Sequence, residues 1–594
     1  MSRNYAGTET TSKKLGTALD GQIISEVLCA NGRCLKCATM TCGKCYLVKY
    51  CGRECQMQHW TSHKKDCKHV YISPSWQPAW ITEKRPPAFL TNDNGPNHTA
   101  FGTLGHYLWG NVPAINCLQV SRNEGQRAAS MDLNLCFAGK NLILTVNDLP
   151  DNYKGKCTIL CNDINGVVVN RNLVILYALL TPGADVADAA ELAVHLMYSA
   201  GLTTQMADYL RNCTEAIYGT DGAHSGVWGT RGTGKIRTLQ YVSSLQYALR
   251  MFHSEYTLSD ALASMRSVMW GPTRTDYRDR YIFSLEPSHR VSFSRFRTTG
   301  VLAPFAADVE NFTEPNRLIF SAEGKWLTMD DANPLFGWDL GPVFECGARY
   351  GATRADSYGC LFFYLKEQFA KFARRVKDFE LDITLSQTEA HALSRAIAAD
   401  SVPNFSNVRF DRIETSNMAD SFGARQIISD WAPLLNRENP HAVLLVNFMN
   451  WILKQPNSRA RDDLRLLWCV TRVVQHMPAP DQRGQGVDGA RAVIGGTSSP
   501  HFFYLINCAE AFFDNEKPFA EFLAKSGAAQ AAAAAGAQLR KVHRIHPKRS
   551  GLSLDDPAQR VPQLTKTGFN NLYLLGGANY SDRFVEVEIK QKSK

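Results

Sequence analysis

Cysteines crowd one short stretch of this chain, and that stretch constrains its folding more than any other feature. Of the 17 cysteines in 594 residues, eight fall between Cys29 and Cys67, whereas the other nine are scattered from Cys117 to Cys508. The potential metal ligands come in four closely spaced pairs: Cys34/Cys37, Cys42/Cys45, Cys51/Cys55 and His63/Cys67. Clustering of this kind indicates metal binding, while scattered single cysteines are typical of buried thiols.

The spacing within the pairs suits tetrahedral zinc. Two intervening residues let adjacent thiolates curl around one ion, and three intervening residues place two ligands one helical turn apart on the same face. The segment Gln56–Lys65 is predicted to be a short helix, which presents His63 and Cys67 together. Eight ligands make two closed four-coordinate sites with no position left for water, so we predict two structural Zn²⁺ ions and no catalytic one.

Two further residues are candidate ligands, and a metal-free segment is the alternative. Cys29 precedes the first pair and His59 interrupts the spacing between Cys55 and His63, so both are interpreted as bystanders. Reduced cysteines without metal would leave the segment without a sufficient hydrophobic core. Because metal binding would supply the missing folding free energy, we favour the zinc sites.

The same segment resembles the MYND-type zinc fingers, with an unusually short loop at Ala38–Thr41. The match rests on the string YCGRECQ from Tyr50 to Gln56, followed by Trp60, His63-Lys64 and Cys67. The resemblance implies protein partners, since such fingers typically dock proline-containing peptides, and it covers about 34 of the 594 residues. It also implies that the ligands interleave, with Cys34, Cys37, Cys51 and Cys55 on one zinc and Cys42, Cys45, His63 and Cys67 on the other.

The composition fits a folded protein of several domains. Apolar residues make up 44% and charged residues 20%, which excludes wholesale disorder, collagen and coiled coil. No apolar run reaches the roughly 18 residues that cross a bilayer, and no secretory signal is visible at the N-terminus. We therefore expect an intracellular protein, cytoplasmic or nuclear, that does not associate with membranes.

The formal net charge of +9 is weak evidence for a nucleic-acid partner. The first 70 residues hold 11 basic and 5 acidic side chains, and zinc-bound thiolates would lower that local excess. The segment Met265–Arg297 interleaves seven arginines with aromatic residues, a pattern that could stack on a single strand. Such side chains are more often half-buried and paired to acids, so a nucleic-acid partner is disfavoured.

We predict a multidomain protein with a zinc-bound finger, an α/β Rossmann-like domain and a largely helical α+β C-terminal region. The predicted organisation is a flexible tail (1–28), the MYND finger (29–70), a proline-rich connector (71–100), the α/β domain (101–250), a mainly helical region (251–524), an alanine-rich and basic linker (525–549) and a C-terminal strand segment (550–594). Within these, Ala442–Met477 is predicted to be helical by its apolar spacing. The alternation in Arg583–Ile589 predicts a strand.

The predicted α/β domain carries a candidate cofactor site. Met131–Phe137 and Cys157–Cys161 are predicted strands, and Gly166–Leu180 is a predicted apolar helix, which is the plan of a nucleotide-binding half. Gly139 follows the first strand, and Asp163 follows the second at the separation where an acid meets a ribose hydroxyl. Since one glycine is a weak fingerprint, a ligand-free scaffold with Asp163 capping the helix is the favoured interpretation.

Part of this domain resembles a second family. Leu108–Asn116, together with Asn162-Asp163 and Arg171-Asn172, is similar to the N-terminal domain of axonemal dynein assembly factors, over about residues 101–248. That domain resembles a methyltransferase core and also occurs fused to MYND fingers. The resemblance implies a methyltransferase-like fold and a role in assembly as one inherited function.

No pattern in the chain predicts catalytic residues. Gly229–Ile236 nearly spells a P-loop, but Ile236 lacks the hydroxyl that holds Mg²⁺, so it is interpreted as a glycine loop. The sequence therefore favours a zinc-binding interaction or adaptor protein on a catalytically silent scaffold. The alternatives are a methyltransferase-like enzyme that uses S-adenosylmethionine and an assembly or chaperone-type factor.

Overall fold

A computed structural model describes most of the chain. The described residues are 24–32, 34–73, 75–90, 105–110, 112–137, 141–182, 185–219, 226–463, 465–476 and 489–590. Gly139 and most of the predicted tail over 1–28 lie outside these ranges, and the predicted connector is described as far as Leu90.

Most strands belong to one mixed sheet. In chain order the strands are β1 (Met40–Thr41), β2 (Lys49–Tyr50), β3 (Leu133–Phe137), β4 (Lys156–Asn162), β5 (Gly201–Thr203), β6 (Val227–Gly229), β7 (Lys235–Leu239), β8 (Phe312–Pro315), β9 (Glu380–Ser386), β10 (Arg412–Glu414), β11 (Val443–Phe448), β12 (Ala537–Leu539) and β13 (Arg583–Ile589). Among the described residues, nine strands form the large sheet in the order β12-β13-β11-β10-β3-β4-β9-β7-β6, while β1 pairs with β2 and β5 with β8.

The middle of the large sheet is parallel and its two edges are antiparallel. Strands β11, β10, β3, β4, β9 and β7 run in one direction. Strand β13 lies antiparallel between β11 and β12, and β6 is antiparallel to β7. These strands come from residues 133 to 589, so one sheet unites the predicted domains 101–250, 251–524 and 550–594. The stretch 525–549 is not a linker, because it supplies β12.

The central strands are largely buried because both faces of the sheet are covered. All six residues of β11 are buried, as expected for a strand between two layers. The prediction of helix over Ala442–Met477 is therefore wrong for residues 443–448. The α-helix in this stretch spans Leu466–His476, and Met477 lies outside the described residues. The predicted helix Gly166–Leu180 and the predicted strand Arg583–Ile589 are confirmed at both ends.

Helices cover the sheet and build the rest of the body. They are α1 (Arg53–Cys67), α2 (Ala79–Thr82), α3 (Asn141–Asn147), α4 (Gly166–Leu180), α5 (Val186–Tyr198), α6 (Thr204–Tyr218), α7 (Val242–Phe252), α8 (Leu258–Met269), α9 (Thr275–Ser284), α10 (Pro287–Thr299), α11 (Leu340–Arg349), α12 (Ser357–Asp378), α13 (Ala390–Ala398), α14 (Met418–Phe422), α15 (Ala424–Trp431), α16 (Leu466–His476), α17 (Gly489–Gly495), α18 (Pro500–Phe512), α19 (Glu516–Lys525), α20 (Ala528–Ala534) and α21 (Lys566–Phe569). None of the described helices is both long enough and apolar enough to span a bilayer.

The glycine-rich stretch that resembles a P-loop forms a β-hairpin. Strand β6 ends at Gly229 and β7 begins at Lys235, with Thr230 Oγ1 donating to the Gly234 carbonyl at 3.0 Å. A side chain at Gly234 would collide with the Leu381 carbonyl, 1.8 Å from the position of its Cβ. Because the lysine begins a strand and not a helix, this loop lacks the helix N-terminus on which a P-loop holds phosphate.

The arginine-rich segment Met265–Arg297 buries two of its arginines in the interior. Arg278 and Arg297 are buried, and both donate to backbone carbonyls at the end of α8 and just beyond it. Two acidic residues of this segment form hydrogen bonds with the connector. Asp276 Oδ1 accepts from Arg85 Nη2 at 2.8 Å, and Asp279 accepts from the backbone N–H of Ala79 at 2.9 Å. The segment therefore anchors the connector to α9, and these two guanidiniums are not available to stack on a nucleic-acid strand.

Candidate functional site

The zinc-finger segment is a small β-hairpin followed by a helix. Strands β1 and β2 pair antiparallel, with Met40 opposite Tyr50. Between them the backbone N–H of Tyr46 donates to the Cys42 carbonyl at 3.0 Å, and Tyr46 adopts a left-handed φ of 59°. This tight turn brings Cys42 and Cys45 to one point, and α1 places His63 and Cys67 on a single face one turn apart.

Cys42, Cys45, His63 and Cys67 form a buried cluster. His63 Nε2 lies 3.4 Å from both the Cys42 and Cys45 sulfurs, and the sulfurs of Cys42 and Cys67 are 3.8 Å apart. A zinc ion with Zn–S bonds of about 2.3 Å in a tetrahedron separates its ligand atoms by about 3.5–3.8 Å, so the four side chains fit such an ion. All four are buried, which leaves no open coordination position for solvent.

The second cluster is more exposed and has an unexpected member. The ligand atoms of Cys29, Cys34, Cys51 and Cys55 lie within 4.8 Å of one another. The Cys51 sulfur is 3.6 Å from that of Cys34 and 3.5 Å from that of Cys55. These separations also match a tetrahedral zinc site. Along the chain, successive pairs of ligands belong alternately to one cluster and to the other. The predicted interleaving of the ligands is therefore observed.

Cys29 takes the place that was predicted for Cys37. Leu28 pairs with Cys37 in an isolated antiparallel bridge, and the Cys29 N–H donates to the Lys36 carbonyl at 3.0 Å. Because side chains alternate along extended chains, Cys29 and Cys37 point to opposite sides. The Cys37 thiol is exposed and donates to Glu26 Oε1 at 3.0 Å, which raises its pKa. His59 also stays outside the clusters, with Nδ1 3.1 Å from the Tyr50 hydroxyl.

Proton sharing in the buried cluster indicates how a cation would be held there. A hydrogen bond from Cys45 lowers the pKa of Cys42 to about 3, and the same hydrogen bond raises the pKa of Cys45. A divalent cation that replaces the shared proton would convert these thiols to the thiolates that zinc binds. The ligand set of seven sulfurs and one imidazole fits two zinc ions in closed, structural sites.

Residues of the β1–β2 hairpin attach the finger to the body. Ser288 Oγ, on α10, donates to the Cys45 carbonyl at 2.6 Å, and Lys49 Nζ donates to the Gly351 carbonyl at 3.1 Å. Thr353 Oγ1 donates to the Tyr46 carbonyl. The finger shares one apolar cluster with the body, in which Leu47 and Val48 are buried with Val291 and Phe305. The exposed side of α1 is left facing solvent.

A second feature lies at the carboxyl edge of the large sheet. A cavity of about 450 Å³ opens there, bounded by residues that follow β4, β10 and β11, among them Asp163, Asn417 and Asn450. It lies next to the boundary between the neighbouring strands β3 and β10. From β3 the sheet continues to β4 on one side of this boundary, and from β10 it continues to β11 on the other side. Ligands of open α/β sheets bind at such a point.

Asp163 lies at this cavity, but it does not cap the next helix. Its Oδ1 accepts from the Asn165 N–H at 2.8 Å, and burial raises the pKa of its carboxyl group. The cap of α4 is Asn165, whose side chain accepts from the Val167 N–H at 3.0 Å. Gly139, the other candidate cofactor residue, lies outside the described residues, so the pair stays a prediction.

Comparisons with known proteins match two parts of the chain. Residues 29–67 match the MYND finger, and residues 108–202 match a domain of unknown function (DUF4470). No curated protein and no solved structure matches. The first match begins at Cys29 and so includes all four members of the more exposed cluster. The second names no activity, so the resemblance to dynein assembly factors stays a prediction. The chain therefore carries a zinc-binding MYND finger on a mixed α/β body.

Proposed function

We propose that this protein is a zinc-dependent adaptor that captures a protein partner on its MYND finger. The observation that carries the proposal is the combination of two closed metal sites with an apolar surface on α1. On that helix Met57 is 62% exposed and Trp60 is 39% exposed. Closed sites have no position for a substrate, so the metals serve to hold this surface in shape.

The chemistry of the surface favours a proline-containing peptide. Proline-rich segments adopt an extended helix before binding, and they dock on exposed aromatic side chains at a low cost in conformational entropy. Trp60 supplies the aromatic ring, and it contacts the ring of the metal ligand His63 edge-on, at 6.0 Å between centroids. Because the finger is anchored through Ser288 and Lys49, the peptide would be held at a fixed position relative to the body.

A peptide array followed by binding measurements tests this proposal. The zinc-loaded full chain would be screened against proline-containing peptides and their alanine-substituted versions, and hits measured by fluorescence anisotropy. Trp60→Ala is expected to weaken binding at least tenfold. The control Leu453→Ala, which removes a 69% exposed side chain distant in sequence from the finger, is expected to leave binding unchanged. Equal binding by the two variants, or no binding by the zinc-loaded chain, would contradict the proposal.

A methyltransferase-like activity is the second candidate, supported by the sheet-edge cavity. The support for this candidate is a run of six parallel strands, continued by an antiparallel β13 between β11 and β12, and a cavity at the carboxyl edge of the sheet that Asp163 lines. S-adenosylmethionine would supply a methyl group there. Calorimetry with that compound tests the candidate: Asp163→Asn should abolish binding, whereas exposed Asp208→Asn should not. An absence of heat with the unmodified chain would leave the body as a scaffold, or as an assembly factor of the dynein type.

A further inference from the structure

A separate cavity lies between the arginine-rich helix α9 and the C-terminal part of the body. Its volume is about 330 Å³, within the range that holds small molecules. Helix α9 supplies Arg280, the chain after β11 supplies Arg459 and Arg461, and α18 supplies Tyr504 and Glu510. It shares no lining residue with the sheet-edge cavity.

The lining of this cavity has an excess of positive charge. Its lining includes three arginines, Arg280, Arg459 and Arg461, and one acidic residue, Glu510. Glu510 lies 3.7 Å from Arg461 Nε and also accepts from the Ala460 N–H at 2.8 Å, so it is already engaged. Among the described residues, Arg280 and Arg459 have neither a carboxylate partner nor a hydrogen-bond acceptor.

Arg280 is the more informative of the two unpaired guanidiniums. It is partly buried, and its guanidinium lies 4.6 Å from the centroid of the Phe89 ring on the connector. Burial lowers its pKa, which means that the charged form is held there at a cost. A charge kept in an apolar setting without a counter-ion is commonly compensated by a bound anion, and a guanidinium binds phosphate through paired N–H groups.

Aromatic and amide side chains line the cavity beside the arginines. Tyr573 and Tyr580 lie together on one wall, with ring centroids 4.8 Å apart, and Tyr504 lines the same cavity. Aromatic walls of this kind stack on planar rings. The Tyr504 hydroxyl and the side-chain amide nitrogens of Asn507 and Asn579 have no partner within the described chain, so donors remain for a polar ligand.

We propose that this cavity binds a small phosphate-bearing molecule with an aromatic ring, of the chemical class of the nucleoside monophosphates. Arg280 and Arg459 would hold the phosphate group, and the tyrosine wall would take the ring. The site shares no lining residue with the zinc finger, so binding of a small molecule there would be a function additional to peptide binding.

Calorimetry on the zinc-loaded full chain tests the site, with adenosine monophosphate as the probe and adenosine and inorganic phosphate as separate arms. We expect saturable binding of the monophosphate and at least tenfold weaker binding of each fragment. Arg280→Gln and Arg459→Gln should each weaken the monophosphate at least tenfold. Arg395→Gln, which changes an exposed arginine on α13, should leave its affinity unchanged.

Thermal unfolding of each variant would establish that it is folded, and the partly exposed Arg459 provides a second test if Arg280→Gln unfolds. The proposal is overturned by an absence of saturable binding at millimolar adenosine monophosphate. It is equally overturned by an affinity that both cavity variants retain, or by phosphate binding as tightly as the monophosphate. None of these outcomes bears on the zinc content or on peptide capture, which are measured separately.

Discussion

Arg412 and Glu124 form a buried ion pair, in which both carboxylate oxygens contact the guanidinium, and this pair connects the chain before β3 to the middle of the large sheet. Arg412 Nη2 lies 2.7 Å and 2.8 Å from the two oxygens of Glu124, and each side chain is 1% exposed. Arg412 also donates to the carbonyls of Cys117 and Leu118. The pair is therefore surrounded by acceptors that satisfy the guanidinium.

Removing one partner of this pair should be costly. Glu124→Gln leaves a buried positive charge without its counter-charge, and we expect a loss of about 3–5 kcal/mol in the free energy of unfolding. Urea denaturation at pH 7 measures it. The exposed pair of Asp208 and Arg211 is the control, since Asp208→Asn should cost about 1 kcal/mol or less. Similar losses for both variants would show that burial of the first pair has no energetic consequence.

Cys29 and Cys37 should differ sharply in their effect on zinc content. The structure places Cys29 inside the more exposed cluster and Cys37 outside it. We expect the unmodified chain to bind two zinc ions, Cys37→Ser to retain two, and Cys29→Ser to lose the ion of that site. Elemental analysis of dialysed protein gives the ratio, and the reverse result would restore Cys37 as the ligand.

Asp356 should make the stability of the protein fall as pH rises. Its carboxylate accepts from the backbone N–H groups of Phe305 and Gly359, yet burial raises its pKa to about 6, above the ordinary 3.8. The folded state therefore holds a proton that the unfolded chain releases, so this contribution to stability is present below about pH 4 and is lost as pH rises through 6.

The variant Asp356→Asn removes that dependence. We expect it to be less stable than the unmodified chain, but by a deficit that shrinks on the order of 1 kcal/mol between pH 5 and pH 7. Urea denaturation at the two pH values measures the change. A deficit that stays constant, or grows, would mean that the folded-state pKa is not raised.

The contact between Asp276 and the connector should protect the connector from proteases. Asp276 accepts from Arg85 and from the Ala88 N–H, at 2.6 Å for the latter. Asp276→Ala is expected to speed tryptic cleavage after Lys84 several-fold, because local opening exposes the backbone. Mass spectrometry of timed digests detects it, with Asp208→Ala as control, and an unchanged rate would show that the aromatic contacts alone hold the connector.

Local features of this fold could be predicted from the sequence, whereas features that depend on distant pairing could not. The apolar run Gly166–Leu180 forms the predicted helix, and the alternating residues of β13 form the predicted strand. Strand β11 was predicted as helix because an apolar run that is buried on both sides has no alternation to distinguish it. The single large sheet was divided into domains because about 140 residues separate β7 from β9.

The metal ligands illustrate the same limit at short range. Seven of the eight clustered residues follow from spacing, but the choice between Cys29 and Cys37 depends on the bridge between Leu28 and Cys37. A signal was present in the loop at Ala38–Thr41, which is unusually short only if Cys37 is a ligand. With Cys34 as the last ligand before Cys42, that loop starts at Leu35.

The location of β13 between β11 and β12 has a consequence for biosynthesis. A ribosome must release residues 583–589 before either neighbour can complete its hydrogen bonds. Until then β11 presents an open, apolar strand edge, which favours association with other chains. Truncated products that stop before Arg583 should accordingly be substrates for chaperones and proteolysis, however well the metal-binding end has already folded.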